Sequence, residues 1–126
     1  MKLKYSIQGA GEPIILLHGM FGSGSNLGLL NRFLSNEYLV VTPDLRNHGQ
    51  SPSSQEMNYP CMAKDIIELM DSLNIYRATM IGHSMGGKIA MQVALNNAAR
   101  VSNLVVVDVS PVNYDPDRHS KVIEGL

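Results

Sequence analysis

The chain has 126 residues, the size of one domain rather than two. Hydrophobic residues make up 44% and charged residues 17%, a globular balance that excludes a disordered chain. The formal net charge of -1 argues against a dedicated nucleic-acid binder, which carries a basic face. The N-terminal MKLKYSIQG brings two lysines with no apolar run behind them and does not read as a secretory signal. The longest apolar runs, around Ile14–Leu17 and Leu104–Val107, are too short to span a bilayer. The one cysteine, Cys61, has no intramolecular disulfide partner, so a reducing, cytoplasmic location is the expectation.

In chain order, Leu3–Gln8 alternates apolar and polar residues and predicts an edge strand. A glycine-rich turn follows, and Pro13–Leu17 is a short, wholly apolar strand of the kind buried on both faces of a parallel sheet. It runs into the glycine-punctuated loop His18-Gly19-Met20-Phe21-Gly22. Asn26 stands where it can cap a helix reaching about Leu34. Tyr38–Thr42 predicts the next strand, closed by Pro43, and Asp44–Tyr59 a long polar loop, a class that often carries function. Pro60 starts a helix whose Met62, Ile66, Leu69, Met70 and Leu73 share one apolar face. Cys61, at its start, reads as a small half-buried residue rather than a reactive thiol. Ala78–Ile81 predicts a strand, Met85–Asn97 a helix and Val101–Val107 a further strand ending at Asp108. Short β-branched runs alternating with helices predict an α/β fold: a mostly parallel sheet in a three-layer α/β/α sandwich, one domain over residues 1–126.

Between a predicted strand and a predicted helix lies Gly82-His83-Ser84-Met85-Gly86, a G-x-S-x-G sequence in the context that such a nucleophile turn requires. The turn is tight, so side chains at the flanking glycines would clash with the strand or helix. The strained serine lifts its Oγ clear of the sheet, and the helix N-terminus aims backbone N–H groups at a developing oxyanion. Five residues with three fixed recur by chance; the second glycine loop, His18–Gly22, is the independent element that strengthens the reading. In a hydrolase such a loop supplies the other oxyanion donor: Met85 N–H would pair with Met20 N–H, with Phe21 N–H as the fallback.

Three segments, His18-Gly-Met-Phe-Gly-Ser23, Asp44-Leu-Arg-Asn-His-Gly-Gln-Ser51 and Gly82-His-Ser-Met-Gly-Gly87, occur in an order and at spacings that resemble the α/β-hydrolase superfamily. Met57-Asn-Tyr-Pro60, Lys88 and Asp108-Val-Ser-Pro-Val112 bring it close to the small bacterial YbfF-like esterases. The resemblance covers essentially the whole chain and corresponds to the N-terminal half of such an enzyme. It implies a carboxyl-ester hydrolase that works through an acyl-enzyme, with Ser84 as nucleophile. It places the triad acid at Asp108, although many related enzymes carry that acid one strand later. It marks Asp44, Arg46 and Gly49 as a loop-ordering set. The tail Asp115–Glu124 looks like the start of a lid helix, within a lid region over 113–126.

A serine needs an adjacent base, and none of the four histidines fills the family's late C-terminal position. His18 precedes the oxyanion loop and is placed to order it. His83 neighbours Ser84 and leaves the turn in another direction, His48 belongs to the Asp44–Tyr59 loop, and His119 lies in the tail. The expectation is a chain without its catalytic histidine and with weak or undetectable turnover. No cluster has metal-ligand spacing, so no metal or organic cofactor is implied. The partners expected are a small-molecule ester or thioester, with no nucleic acid and no membrane. A sheet ending at Val101–Val107 would leave an open edge for self-association.

Two rival readings stand beside the hydrolase. A catalytically silent fragment or binding scaffold would have the same sequence pattern. Gly82–Lys88 also fits G-x-x-x-x-G-K, and Leu104–Asp108 imitates a magnesium-organising strand, but Ile89 stands where a phosphate loop wants Ser or Thr.

Overall fold

A computed structural model of the protein describes residues 1–19, 22, 27–107 and 120–123, the last as backbone only. The elements are β1 (Tyr5–Gln8), β2 (Pro13–Leu17), α1 (Gly28–Leu34), β3 (Leu39–Pro43), α2 (Tyr59–Ser72), β4 (Ala78–His83), α3 (Met85–Asn96), β5 (Val101–Val107) and β6 (Ser120–Ile123), with one 3-10 turn at Ala98–Arg100. The strands form one sheet in the order β1-β3-β2-β4-β5-β6. Its centre, β3-β2-β4-β5, is parallel, and the edge strands β1 and β6 pair antiparallel to it.

The pleat sends alternate side chains to opposite faces, and each face meets different helices. Ile15, Leu17, Val41, Met80, Leu104 and Val106 point to one side, where Met62, Ile66 and Met70 of α2 and Ile89, Ala90 and Val93 of α3 cover them. Fully burying each of the Val, Leu, Ile and Met side chains contributes roughly 1.5–3 kcal/mol. Ile14, Leu16 and Val40 point to the other side, where a smaller cluster includes Leu27 and Leu34 at the ends of α1. This is the expected α/β/α layering.

Local chemistry sets the helix ends. Asn58 caps α2: its Oδ1 accepts the Cys61 N–H at 2.9 Å and its own N–H reaches Cys61 Sγ at 3.4 Å. Cys61 is half-buried, as expected of a structural residue. In α1 the N-cap position is Leu27, which makes no side-chain cap hydrogen bond; Asn26 lies outside the described residues. Asn31 is the buried residue of α1, and its Nδ2 donates to Thr42 Oγ1 at 3.1 Å.

The long loop after β3 is clamped to α2 by a buried ion pair. Arg46 Nε and Nη2 donate to Asp65 Oδ2 and Oδ1 at 2.7 and 2.8 Å, and Nη1 donates to the Glu56 carbonyl at 2.9 Å. Asp44 accepts the Gln50 N–H at 3.0 Å, and its backbone carbonyl accepts the Ser51 hydroxyl. Gly49 packs against the Asp44 carboxylate with a φ of +52°, a left-handed conformation that glycine adopts without strain.

Two expectations about the end of the chain are corrected. Ser120–Ile123 is a strand, not part of a lid helix, and it pairs antiparallel with Leu104–Val107. The β5 edge is therefore covered along these residues rather than open. Four residues with alternating hydrogen bonds satisfy the edge that a charged tail was not expected to reach. The remaining residues of the 113–126 region lie outside the described residues.

Candidate active site

One residue, Ser84, joins β4 to α3. Its φ of 55° and ψ of -113° are a conformation that costs a non-glycine residue on the order of 1–3 kcal/mol. Its surroundings hold it there. The Ser84 N–H donates to the Val107 carbonyl at 2.8 Å, and the Ser84 carbonyl accepts N–H groups of Gly87 at 2.9 Å and Lys88 at 3.2 Å. The flanking glycines let strand and helix meet. A Cβ on Gly82 would collide with the Gly86 carbonyl and approach Gly87 N to 2.5 Å; one on Gly86 would collide with the Leu17 carbonyl and approach His18 O to 2.6 Å. The Oγ of Ser84 has no hydrogen-bond partner among the described residues.

Met85 is the first residue of α3 and is buried. Its N–H belongs to the first helical turn, which has no intrahelical acceptor, so it stands beside Ser84 at the positive end of the helix dipole. On the other side of Ser84 is Gly19. A Cβ there would meet His83 Nδ1 at 2.9 Å and Ser84 Cβ at 3.4 Å. The loop after β2 therefore touches the turn after β4, as parallel neighbours in the sheet dictate.

His18 fixes that loop. It is 1% exposed, and the Leu45 N–H donates to its Nε2 at 3.0 Å. An accepting Nε2 carries no proton, so the proton is on Nδ1, which donates to the Gly19 carbonyl at 2.7 Å. Gly22 N–H donates to the same carbonyl at 3.1 Å. Burial holds the His18 pKa below the ordinary value; the Gly19 carbonyl opposes this, His48 lowers it further and Asp44 raises it. The His48 ring lies 5.2 Å from that of His18, and its Nδ1 donates to the Arg46 carbonyl at 2.9 Å.

Of the residues singled out in the sequence, the structure places Ser84 and Met85 together at the C-terminal end of β4, inside the sheet. Met20, Phe21, Asp108 and His119 lie outside the described residues. Val107, which precedes Asp108, is one hydrogen bond from Ser84. The phosphate-loop reading is overturned: β4 runs through His83 and α3 starts at Met85, so no multi-residue loop of N–H groups is left to cradle a phosphate. Lys88 is exposed, its Nζ 6.0 Å from the Tyr59 ring centroid. Among the described residues no three His, Cys, Asp or Glu side chains could together hold a metal ion, and no helix is long and apolar enough to cross a membrane.

Residues 12–124 match the family described as alpha/beta hydrolase fold, and the chain belongs to it. Among its relatives is the esterase YbfF of Escherichia coli (strain K12), 44% identical over 115 residues that cover 91% of this chain and 45% of that protein. The sn-1-specific diacylglycerol lipase ABHD11 of Xenopus laevis is 48% identical over 108 residues, covering 84% of this chain and 35% of the relative. A solved structure of a marine microorganism esterase superposes with a TM-score of 0.84 at 40% identity, covering 92% of this chain and 45% of its own. The chain thus spans less than half the length of each of these proteins.

Proposed function

We propose that this chain is the nucleophile-bearing part of a serine hydrolase that cleaves carboxylic esters through an acyl-enzyme. The observation that carries the reading is the strained Ser84, held at φ 55° at the N-terminus of α3. Esterases and a lipase among its relatives support the substrate class.

In this mechanism Ser84 Oγ attacks the ester carbonyl, and the carbonyl oxygen takes the charge. The N–H groups of Met85 and Met20 receive it, with Phe21 as the alternative to Met20. Each such donor contributes about 2.7–4 kcal/mol of transition-state stabilisation. Collapse of the intermediate expels the alcohol and leaves the acyl group on Ser84, which water then removes.

Asp108 orients the histidine that serves as base. That histidine is not His18 or His48, whose Nδ1 atoms are committed to the carbonyls of Gly19 and Arg46. None of the four histidines in the sequence is assigned to that role. Without that base, binding and the oxyanion donors alone leave about 10³–10⁴-fold acceleration over water. The substrate is a small ester or thioester, met in the cytoplasm without a nucleic-acid or membrane partner.

Intact mass measured after incubation with p-nitrophenyl acetate tests this. Slow acetylation confined to Ser84, weak turnover and loss of both in Ser84→Ala are the expected results. Fast turnover abolished by Ser84→Ala would contradict the missing base, and turnover that survives it would contradict the nucleophile. A chain never acetylated is a silent scaffold.

A further inference from the structure

His18 joins two loops from distant parts of the chain. Through Nδ1–H it holds the Gly19 carbonyl at 2.7 Å, and through Nε2 it accepts the Leu45 N–H at 3.0 Å. Gly19 packs against Ser84, while Leu45 opens the loop that Arg46 clamps to α2. An imidazole can donate at one nitrogen and accept at the other only when it carries a single proton. A second proton turns Nε2 into a donor facing another N–H, and in a site 1% exposed no water shell replaces the lost bond.

We propose that His18 is a positioning residue that acts as a proton-operated latch: neutral, it ties the Gly19 turn beside Ser84 to Leu45; doubly protonated, it lets go of Leu45 and frees that turn. The surrounding charges set when it opens. From the loop after β3, His48 lies 5.2 Å away ring to ring and resists a second positive charge, while Asp44 favours one. The Arg46 guanidinium is turned away, onto Asp65 and the Glu56 carbonyl. From the end of β4, His83 presents Nδ1 to Gly19. Burial is the largest influence and keeps the latch closed near neutral pH, so opening belongs to the acid side. The catalytic consequence rests on the reading of the Gly19–Gly22 loop as an oxyanion donor: an acid limb in the acylation rate of Ser84 that does not come from the catalytic base.

The latch is read without substrate, by NMR of the whole chain. Long-range nitrogen–proton correlations should show His18 as the Nδ1–H tautomer at pH 7.5. Its titration midpoint should lie below that of free histidine, with the Leu45 and Gly22 amide signals moving at that same midpoint. His18→Gln keeps an acceptor and a donor but cannot titrate, so those two amides should become insensitive to pH. His48→Asn removes the opposing charge and should move the His18 midpoint upward. An Nε2–H tautomer, a His18 titration that leaves Leu45 and Gly22 unmoved, or an unchanged amide response in His18→Gln would each overturn the proposal. If the amides respond as stated but Ser84 is never acylated, the latch stands and the hydrolase reading falls. If Ser84 acylates and the amides stay still, the latch alone falls.

Discussion

Gly86→Ala should be among the most damaging single-methyl additions to this protein. The new Cβ would stand 2.6 Å from both the His18 carbonyl oxygen and the Leu17 carbonyl carbon, and closer still to Leu17 O. Ordinary contacts between heavy atoms lie near 3.5 Å, so the end of β2 and the start of α3 must part by about 1 Å. Both sides are backbone, and no side-chain rotamer can absorb the displacement. Overpacking of this kind costs about 3 kcal/mol at the upper end of its usual range. Alanine returns at most about 1 kcal/mol of helix propensity, which leaves a net loss near 2 kcal/mol. At about 4 °C per kcal/mol for a chain of this size, Tm falls by about 8 °C. The control is Gly28→Ala, where no atom lies within 4 Å of the new Cβ; it should be neutral or slightly stabilising. Urea unfolding with a common m-value gives both numbers. A Gly86→Ala protein as stable as the parent, or a Gly28→Ala protein that loses as much, would refute the argument that close backbone approach dictates these glycines.

Ser84→Gly should raise stability by about 1 kcal/mol in thermal unfolding, since glycine relieves a strain of about 1–3 kcal/mol and gives back part of it as chain entropy. Ser84→Ala, which keeps the Cβ and the strain, should not. Arg46→Met leaves the buried Asp65 carboxylate without its two-pronged partner, and urea unfolding should show a loss of about 3–5 kcal/mol. Stability should also fall on the acid side. The folded-state pKa of His18 is depressed, so the unfolded chain binds the extra proton first. The stabilisation present above about pH 6.5 is then lost as pH drops toward the folded value. Urea midpoints measured from pH 7.5 to 5 should decline in the parent, and less steeply in His18→Gln.

Most of the architecture could be read from the residues because the physics was local. Pro13–Leu17 is an apolar run and Val101–Val107 a segment that ends in one, and the structure gives both strands those same limits. Ser84 is legible because the close packing of α3 on β4 and on the end of β2 demands glycine at 82 and 86, a demand written directly into the sequence. Other features depend on partners far along the chain. Nothing local in the sequence pairs Asp65 with Arg46; only the fold brings the two together and buries both. The position of Asp65 one residue before Ile66, on the apolar side of the helix, was the available signal. The sequence places His18 to order its loop, but its grip on Leu45 spans 27 residues and has no local trace. Pro60 marks the start of α2 in the sequence, whereas the cap at Asn58 lies two residues before it. The strand at Ser120–Ile123 carries only two β-branched residues within a charged segment, too weak a pattern to outweigh the lid helix that the family resemblance implied.

The account turns on a hydroxyl raised on a strained bend between backbone donors, and a crystal structure of the fluorophosphonate adduct measures that arrangement directly. Density should run continuously from Ser84 Oγ to phosphorus, with the phosphonyl oxygen about 2.7–3.1 Å from the N–H nitrogens of Met85 and Met20. An adduct on any other residue, or a phosphonyl oxygen turned away from Met85, would contradict it.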